Sequence, residues 1–323
     1  MIQTISDKVS FIESVFGAGK LARNSKNFDV KCPVCAPKDG KRKLAIRVED
    51  DACHCWVCGF RAKSLAPLIR KYSSHDRLIQ YRDQFMKGRL FITDDLNLKS
   101  LVPELPNNFR LLATATNFDP DVRALKKYIT SRGLDEHDLW YYKFGYSEEY
   151  RWSRRVIMPS FNASGKLNYF VGRAIDKHRK PKYDNPDFDK LPIIFNEINI
   201  NWSQRLVICE GPFDLVKCGE NAVPLLGSDL NEQSELFNSI LVNSTPVALA
   251  LDPDMRVKKI PKIAKKLAMY DIDVTIVDVR PFEDAGSMTK KEFKEALDLA
   301  RPFSWFDSFQ ARLDNASGTS LTM

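Results

Sequence analysis

Three groups of residues in this chain have the type and spacing to do chemistry. The first is acidic. Leu206-Val-Ile-Cys-Glu210-Gly and Ala248-Leu-Ala-Leu-Asp252-Pro-Asp254 are short apolar runs that stop abruptly at carboxylates. Such runs read as strands buried in a parallel sheet, and ligands of open parallel sheets bind beyond the carboxyl ends of the strands. Glu210, Asp252 and Asp254 would then share one mouth. All-oxygen donors suit Mg²⁺ (or Mn²⁺), with waters and substrate phosphates completing the shell. The second group is Cys32-Pro-Val-Cys35 and, after nineteen intervening residues, Cys55-Trp-Val-Cys58. Two Cys-x-x-Cys pairs at this separation read as one tetrahedral Zn²⁺ site. Cys53 would share the strand face of Cys55, which makes it a substitute ligand, and His54 lies between them. The third group is basic. Residues 140–190 hold 11 Lys/Arg against 6 Asp/Glu, and a basic segment beside an acidic site fits a polyanionic partner.

Each feature has a plainer reading. Asp252 before Pro253 could be a helix cap, Glu210 a loop acid, and Asp214 an acid in a helix's first turn. Basic runs are usually solvated faces, although these bases fall on strands. The combination weighs against coincidence, because the acids follow buried strands at one sheet edge. Zinc in a domain this small also acts as a staple for a core too thin to fold alone.

The elements that must carry these groups follow from patterning. Residues 6–16 have helical spacing at Val9, Ile12 and Phe16, ended by Gly17 and Gly19. Lys43 to Val48 and Ala52 to Cys55 read as strands between the knuckles, followed by a helix from Ser64 to Ile69 and another over 74–87. Residues 91–118, with Pro103, Pro106, Asn107 and Asn108, read as a linker. Asp119-Pro120 opens a helix as N-cap and first residue, reaching about Ser131, with Gly133 as the stop. Two strands flank a turn over 162–166. Strands near 205–209, 222–226, 246–251 and 273–278 alternate with helices near 212–220, 231–241 and 257–270, a doubly wound α/β pattern.

Composition excludes several classes. The 323 residues carry a net charge of +7 and 44% apolar residues, an ordinary globular balance. No apolar run is long enough to span a bilayer and no secretory leader is visible, so a cytoplasmic protein without a membrane role is expected. Five of seven cysteines crowd into residues 32–58, unlike a secreted disulfide framework. Cys209 and Cys218 read as buried small hydrophobes, and His75, His137 and His178 as surface residues. No nucleophile triad, Walker sequence or dinucleotide fingerprint is present.

Several segments resemble the bacterial and phage-type DNA primases. His54-Cys-Trp-Val-Cys-Gly-Phe60 with the following helix is similar to that family's second zinc knuckle. Tyr128-Ile-Thr-Ser-Arg132-Gly133-Leu134 with Phe144-Gly-Tyr146 resembles the opening of its catalytic core. The order Arg154-Arg155-Val-Ile-Met-Pro, Gly172-Arg173 and Pro181-Lys182-Tyr183-Asp-Asn185 is also the family's. Glu210-Gly211, Leu225-Leu-Gly227-Ser228 and Asp252-x-Asp254 match the Toprim metal-binding fold, and Asp284-Ala-Gly-Ser-Met-Thr289 resembles its third acidic loop. There the family often has a second acid, where this chain has Gly286.

The resemblance implies a multi-domain α/β protein: a zinc-ribbon module (1–90), the linker (91–118), a basic subdomain (119–204), a Toprim domain (205–285) and a C-terminal helical segment and tail (286–323). It implies DNA primase activity, the synthesis of short RNA primers on single-stranded DNA from ribonucleoside triphosphates. Glu210, Asp252 and Asp254 would hold Mg²⁺, helped by Asp284 and Asp214. Arg155, Arg173, Lys182 and Tyr183, with Arg154 and Asn185, would line the groove for template, RNA primer and nucleotide. Among phage proteins the chain is similar to a free-standing primase, acting in the bacterial host's cytoplasm, with no room for a helicase domain after residue 300. Phe303, Trp305, Phe306 and Phe309 suggest a short helix that packs on its own domain, or docks a replicative helicase. The rival enzyme is a Toprim nuclease or topoisomerase-like strand cleaver. The non-enzyme rival is a zinc-containing DNA-binding adaptor.

Overall fold

Cap residues and burial periodicity set most element boundaries. The computed structural model describes residues 5–23, 26–37, 40–86, 103–227, 229–253, 259–304 and 306. Asp254, Ser228, Trp305, Phe309 and the C-terminal tail therefore lie outside the described residues. The chain divides into two compact units: residues 1–94 with 230–245 and 266–272, and residues 95–229, 246–265 and 273–323.

In the first unit, α1 (Ile5–Phe16) buries Phe11 and Ile12 and ends where Gly17 takes φ +82°, a left-handed conformation that glycine adopts without a Cβ penalty. Strands β1 (Lys20–Leu21), β2 (Asn27–Val30), β3 (Leu44–Arg47), β4 (Cys53–Cys55) and β5 (Arg61–Ala62) form an antiparallel meander in chain order. Alternation puts Phe28, Val30, Leu44, Ile46, Cys53 and Cys55 inside. Helices α2 (Ala66–Tyr72) and α3 (His75–Tyr81) follow, the latter capped by Ser74, whose hydroxyl accepts from the Arg77 N–H. Tyr81 donates to the buried Asp51 at 2.8 Å, and Lys8 pairs with the same carboxylate at 3.2 Å.

In the second unit, β6 (Arg110–Leu111), α4 (Pro120–Ser131), α5 (Glu136–Tyr141), β7 (Gly145–Tyr146), β8 (Arg155–Phe161), β9 (Leu167–Ala174) and β10 (Tyr183–Asp184) come first. Their strands make an antiparallel sheet in the order β10-β9-β8-β7-β6. Asp119 caps α4 by accepting from the Asp121 N–H at 2.7 Å, as its sequence signals. Part of the expected linker is instead structured: Arg110 and Leu111 pair with Tyr146 and Gly145, and Leu112 is buried. A two-residue strand has no periodicity to reveal it.

Next come β11 (Leu206–Cys209), α6 (Pro212–Leu215), β12 (Ala222–Pro224), α7 (Glu235–Asn243), β13 (Val247–Ala250), α8 (Ile260–Ala268), β14 (Val274–Ile276), α9 (Lys290–Asp298) and β15 (Arg301–Pro302). The sheet order is β12-β11-β13-β14-β15, parallel throughout except β15. Strands β11, β12, β13 and β14 fall inside the ranges expected of them. Helix α6 is a single turn rather than a helix to residue 220. The start of the aromatic C-terminal stretch is strand-like, with the Phe303 N–H bonded to the Val274 carbonyl at 2.8 Å. One apolar core joins both sheets of this unit, from Val122, Ile129 and Leu134 through Phe144, Val156 and Val171 to Val207, Phe213, Ala248 and Phe293.

Residues 230–245, carrying α7, and 266–272 cluster with the first unit rather than with the sheet strands next to them in sequence. There Ser64 donates to the Asn238 side chain. The Arg70 guanidinium reaches the Tyr270 carbonyl, the Asp271 carbonyl at 2.6 Å and the Ser244 hydroxyl at 2.7 Å.

Candidate zinc centre and active site

The zinc ligands come from two turns, one after β2 and one after β4. The sulfurs of Cys32, Cys35, Cys55 and Cys58 all lie within 4.8 Å of one another. Cys32 and Cys58 are 3.9 Å apart, Cys35 and Cys55 3.8 Å. A tetrahedron of thiolates about 2.3 Å from Zn²⁺ has edges of about 3.8 Å. The donor set therefore fits Zn²⁺ in both chemistry and shape, and it is a structural zinc site. Burial opposes ionisation of Cys55, yet N–H groups of Cys58 and Val57 and the neighbouring thiols bring it down to about 7. Burial pushes the Cys32 thiol up to about 12, so metal binding must displace its proton. Cys53 is outside the cluster, its sulfur turned to the Ser64 carbonyl at 3.9 Å. His54 is edge-on to Trp56, ring centroids 4.3 Å apart, and Trp56 and Val57 stand 73% and 59% exposed.

The acids are positioned by strand order. The chain leaves β11 toward β12 on one side and returns as β13 on the other, so a topological switch point lies between β11 and β13, where a crevice opens beyond the carboxyl ends. Cys209 pairs with Ala250 in register. Glu210 is one residue past that pair and Asp252 two residues past it, on strands about 4.8 Å apart. The Glu210 Oε2 and Asp252 Oδ1 atoms are buried. Asp214 reaches back from α6 to accept the Gly211 N–H at 2.9 Å. Burial, then the charges of Asp284 and Asp252, push its carboxyl up to about 6, the response of an acid crowded by other acids. Asp284 accepts from the Ser287 hydroxyl at 2.5 Å. A cleft of about 820 Å³ adjoins Asp252, lined also by Pro253, Asp278, Arg280, Phe282 and Glu283. Asp214 thus lies near the loop of Asp284–Gly286 and under the charges of Asp284 and Asp252, with Glu210 next to Gly211; among the described residues these acids do not bring three ligand atoms within 4.8 Å of one another, as the four cysteines do.

The basic residues divide. Arg173 lies against α6. Its Nη1 donates to the Tyr183 hydroxyl at 2.6 Å and its Nε to the Tyr128 hydroxyl, and its guanidinium is 5.0–5.9 Å from the ring centroids of Tyr183, Phe213 and Tyr128. Burial raises the Tyr183 phenol's pKa, which keeps it a neutral partner. Its ring packs on Arg173. Lys182 is exposed. Asn185 is half-buried, its backbone carbonyl taken by Arg151 at 3.1 Å. Arg154 is committed to Asp176 through two bonds of 2.6 and 2.7 Å and to Asp121 at 2.7 Å. Arg155 is 2% exposed and donates to the carbonyls of Arg151, Gly172 and Pro181. Of the two arginines expected at a phosphate groove, Arg154 is thus ion-paired and Arg155 braces the backbone.

Sequence reasoning assigned no role to four contributors. Tyr128 and Phe213 complete the box around Arg173, 85 residues apart in sequence. Lys217, 4% exposed, donates to the Gly133 carbonyl at 2.6 Å. Lys290 pairs with the buried Asp138 at 2.6 Å. A second metal-like group, Asp135, His137 and Asp138, is accounted for by that ion pair and by the capping box Asp135 and Asp138 form on α5.

No protein-family model matches the sequence. The chain is 25% identical to a DNA primase of Thermotoga maritima over 56% of its own length and 40% of the relative's. It is 22% identical to a DNA primase of Clostridium acetobutylicum over 92% of its length and 57% of the relative's. The chain thus spans about half the length of the curated relatives it matches. Among solved structures, the zinc-binding and RNA polymerase domains of the Aquifex aeolicus primase align with 94% of this chain and 87% of that one, at 17% identity and TM-score 0.49. In sequence the chain is similar to bacterial DNA primases.

Proposed function

We propose that this chain is a DNA primase that makes short RNA primers on single-stranded DNA by metal-dependent nucleotidyl transfer. The observation that supports the reading is Asp214 of α6 set against the Asp284–Gly286 loop and under the charge of Asp252, beside the β11/β13 switch point, with the Arg173 box packed on the same α6 turn. Glu210, Asp252, Asp284 and Asp214, with Asp254 two residues past Asp252, would hold Mg²⁺ or Mn²⁺. The ion supplies positive charge where an attacking 3′-hydroxyl and a departing pyrophosphate both build up negative charge. Arg173 is oriented by two phenols beside α6, and its fixed fork suits a phosphate oxygen pair. Lys182 contributes a mobile charge beside it. Trp56 and Val57, exposed among Lys41, Lys43 and Arg61, give the zinc module a surface for unstacked template bases.

The test is a single-stranded template with four ribonucleotides and Mg²⁺, products resolved by length. Wild type should yield short oligoribonucleotides, and Asp252→Ala should abolish them while salt-sensitive DNA binding persists. Full synthesis by that variant refutes the assignment. Nicking of supercoiled DNA by wild type, without synthesis, would favour a strand-cleaving enzyme.

A further inference from the structure

The cleft beside Asp252 lies between the segments that follow β13 and β14. Its volume is about 820 Å³, within the range of small-ligand clefts, roughly 300–1,000 Å³. Its walls are of two kinds. Pro253, Pro281 and Phe282 are apolar, and Asp252, Asp278, Arg280 and Glu283 are charged. Phe282 is half-buried and packs against the core that joins the two sheets of this unit. Its N–H is bonded to the Val279 carbonyl at 3.0 Å, so a tight turn fixes where the ring stands.

The charged residues are not equivalent. Arg280 donates to both carboxylate oxygens of Asp278, at 3.0 and 2.8 Å, and the two neutralise each other. Glu283 is exposed and, among the described residues, has no hydrogen-bond or ion-pair partner. The next residue, Asp284, acts elsewhere: its charge helps to push up the Asp214 carboxyl. Consecutive residues therefore serve two places, Asp284 the acids around Asp214 and Glu283 the cleft.

Charge decides what the cleft takes. Three carboxylates face one guanidinium that is already paired, so a bare phosphate is repelled and a group with hydroxyl donors is accepted. In a nucleotide that group is the sugar, which adjoins the α-phosphate. In dinucleotide-binding parallel sheets an acid likewise accepts from the ribose 2′-hydroxyl.

On the polymerase reading of Asp252, we infer that this cleft seats the sugar of the incoming nucleotide against Phe282, and that Glu283 selects ribonucleotides over deoxyribonucleotides by accepting from the 2′-hydroxyl. Glu283 is exposed, so water replaces the donor that a deoxyribose lacks. The preference it supplies is therefore about tenfold, rather than the ~10⁴-fold of a sealed site.

The experiment uses the full, zinc-loaded chain with Mg²⁺ and a single-stranded template. It compares kcat/KM for a ribonucleoside triphosphate and for its 2′-deoxy counterpart at the same template position. Wild type should favour the ribonucleotide. Glu283→Ala should lower kcat/KM about tenfold for the ribonucleotide, mainly through KM, and less than twofold for the deoxyribonucleotide. Glu283→Gln keeps a carbonyl acceptor and should retain part of the preference. Phe282→Leu should raise KM for both nucleotides alike. Zinc content and circular dichroism establish that the variants are folded. A folded Glu283→Ala that keeps the wild-type preference overturns the inference and leaves the polymerase reading standing, as does wild type that uses both sugars equally. Wild type that incorporates neither nucleotide overturns both.

Discussion

The Arg173 guanidinium and the Tyr183 phenol are partners on adjacent strands. The two residues are in register across β9 and β10, the Arg173 Nη1 to Tyr183 Oη distance is 2.6 Å, and the guanidinium carbon stands 5.0 Å from the tyrosine ring centroid. The hydroxyl fixes the direction of the fork and the ring covers its apolar face. Tyr183→Phe separates the two effects, since it keeps the ring and removes one hydrogen bond worth roughly 1 kcal/mol. Primer synthesis should fall about fivefold, chiefly through KM for the nucleotide, with a melting temperature lowered by no more than a few degrees. An unchanged KM would mean that Arg173 is oriented without its phenol partner.

The zinc centre gives a two-variant prediction. Cys35→Ser removes one corner of the tetrahedron and should release zinc, with loss of order in the first unit, because metal binding and folding are coupled in a module this small. Cys53→Ser changes a buried thiol directed at a carbonyl and should retain one zinc per chain. Zinc content by atomic absorption distinguishes them. Metal lost from Cys53→Ser, or held by Cys35→Ser, would redraw the ligand set.

Arg154 and Asp176 make the second unit's stability depend on acidity. The Arg154 hydrogen bonds, partly opposed by burial and aided by the Arg154 charge, hold the Asp176 carboxyl below its ordinary range. A folded-state pKa below the unfolded value of about 3.9 contributes stability above that value, lost as the pH falls through the folded one. For this half-exposed pair the contribution is about 1 kcal/mol after screening. Asp176→Asn should therefore destabilise at pH 7, and the gap to wild type should begin to narrow below about pH 4 and close once the pH is below the folded pKa. Denaturant unfolding at pH 7, 5, 3.5 and 2 measures it, and a gap that is no smaller at pH 2 than at pH 7 would exclude this origin.

What could be read from sequence was what is local. Ligand spacing places four sulfurs because each knuckle closes within a few residues. The Asp119-Pro120 cap fixes α4 because the cap is a contact between neighbours. The strands carrying Glu210 and Asp252 announce themselves as apolar runs. What could not be read was burial and partnership at long range. Arg155 and Arg173 look alike in a basic segment, yet one is sealed among carbonyls and the other lies in a box closed by Tyr128 and Phe213. Charge is written in the sequence, but its neutralisation by Asp176 or Asp184 depends on loops that meet only in the folded sheet. Strands β6 and β15, two residues each, pair by position alone and leave no pattern.

Arg70 is the last case, a cation whose partners are mostly backbone. From α2 it donates to the carbonyls of Tyr270 and Asp271 and to the Ser244 hydroxyl, groups at the ends of later helical segments within the same unit. Carbonyls at helix ends lack intrahelical donors, and a cation there is also favoured by the helix dipole. Arg70→Ala removes all three bonds and should cost about 2 kcal/mol. Arg70→Lys keeps the charge but not the fork, and should recover less than half. Hydrogen exchange should quicken at residues 240–245 and 267–272 in Arg70→Ala, and not in the sheet of the second unit. Unchanged protection in those two segments would show that they are held without the guanidinium.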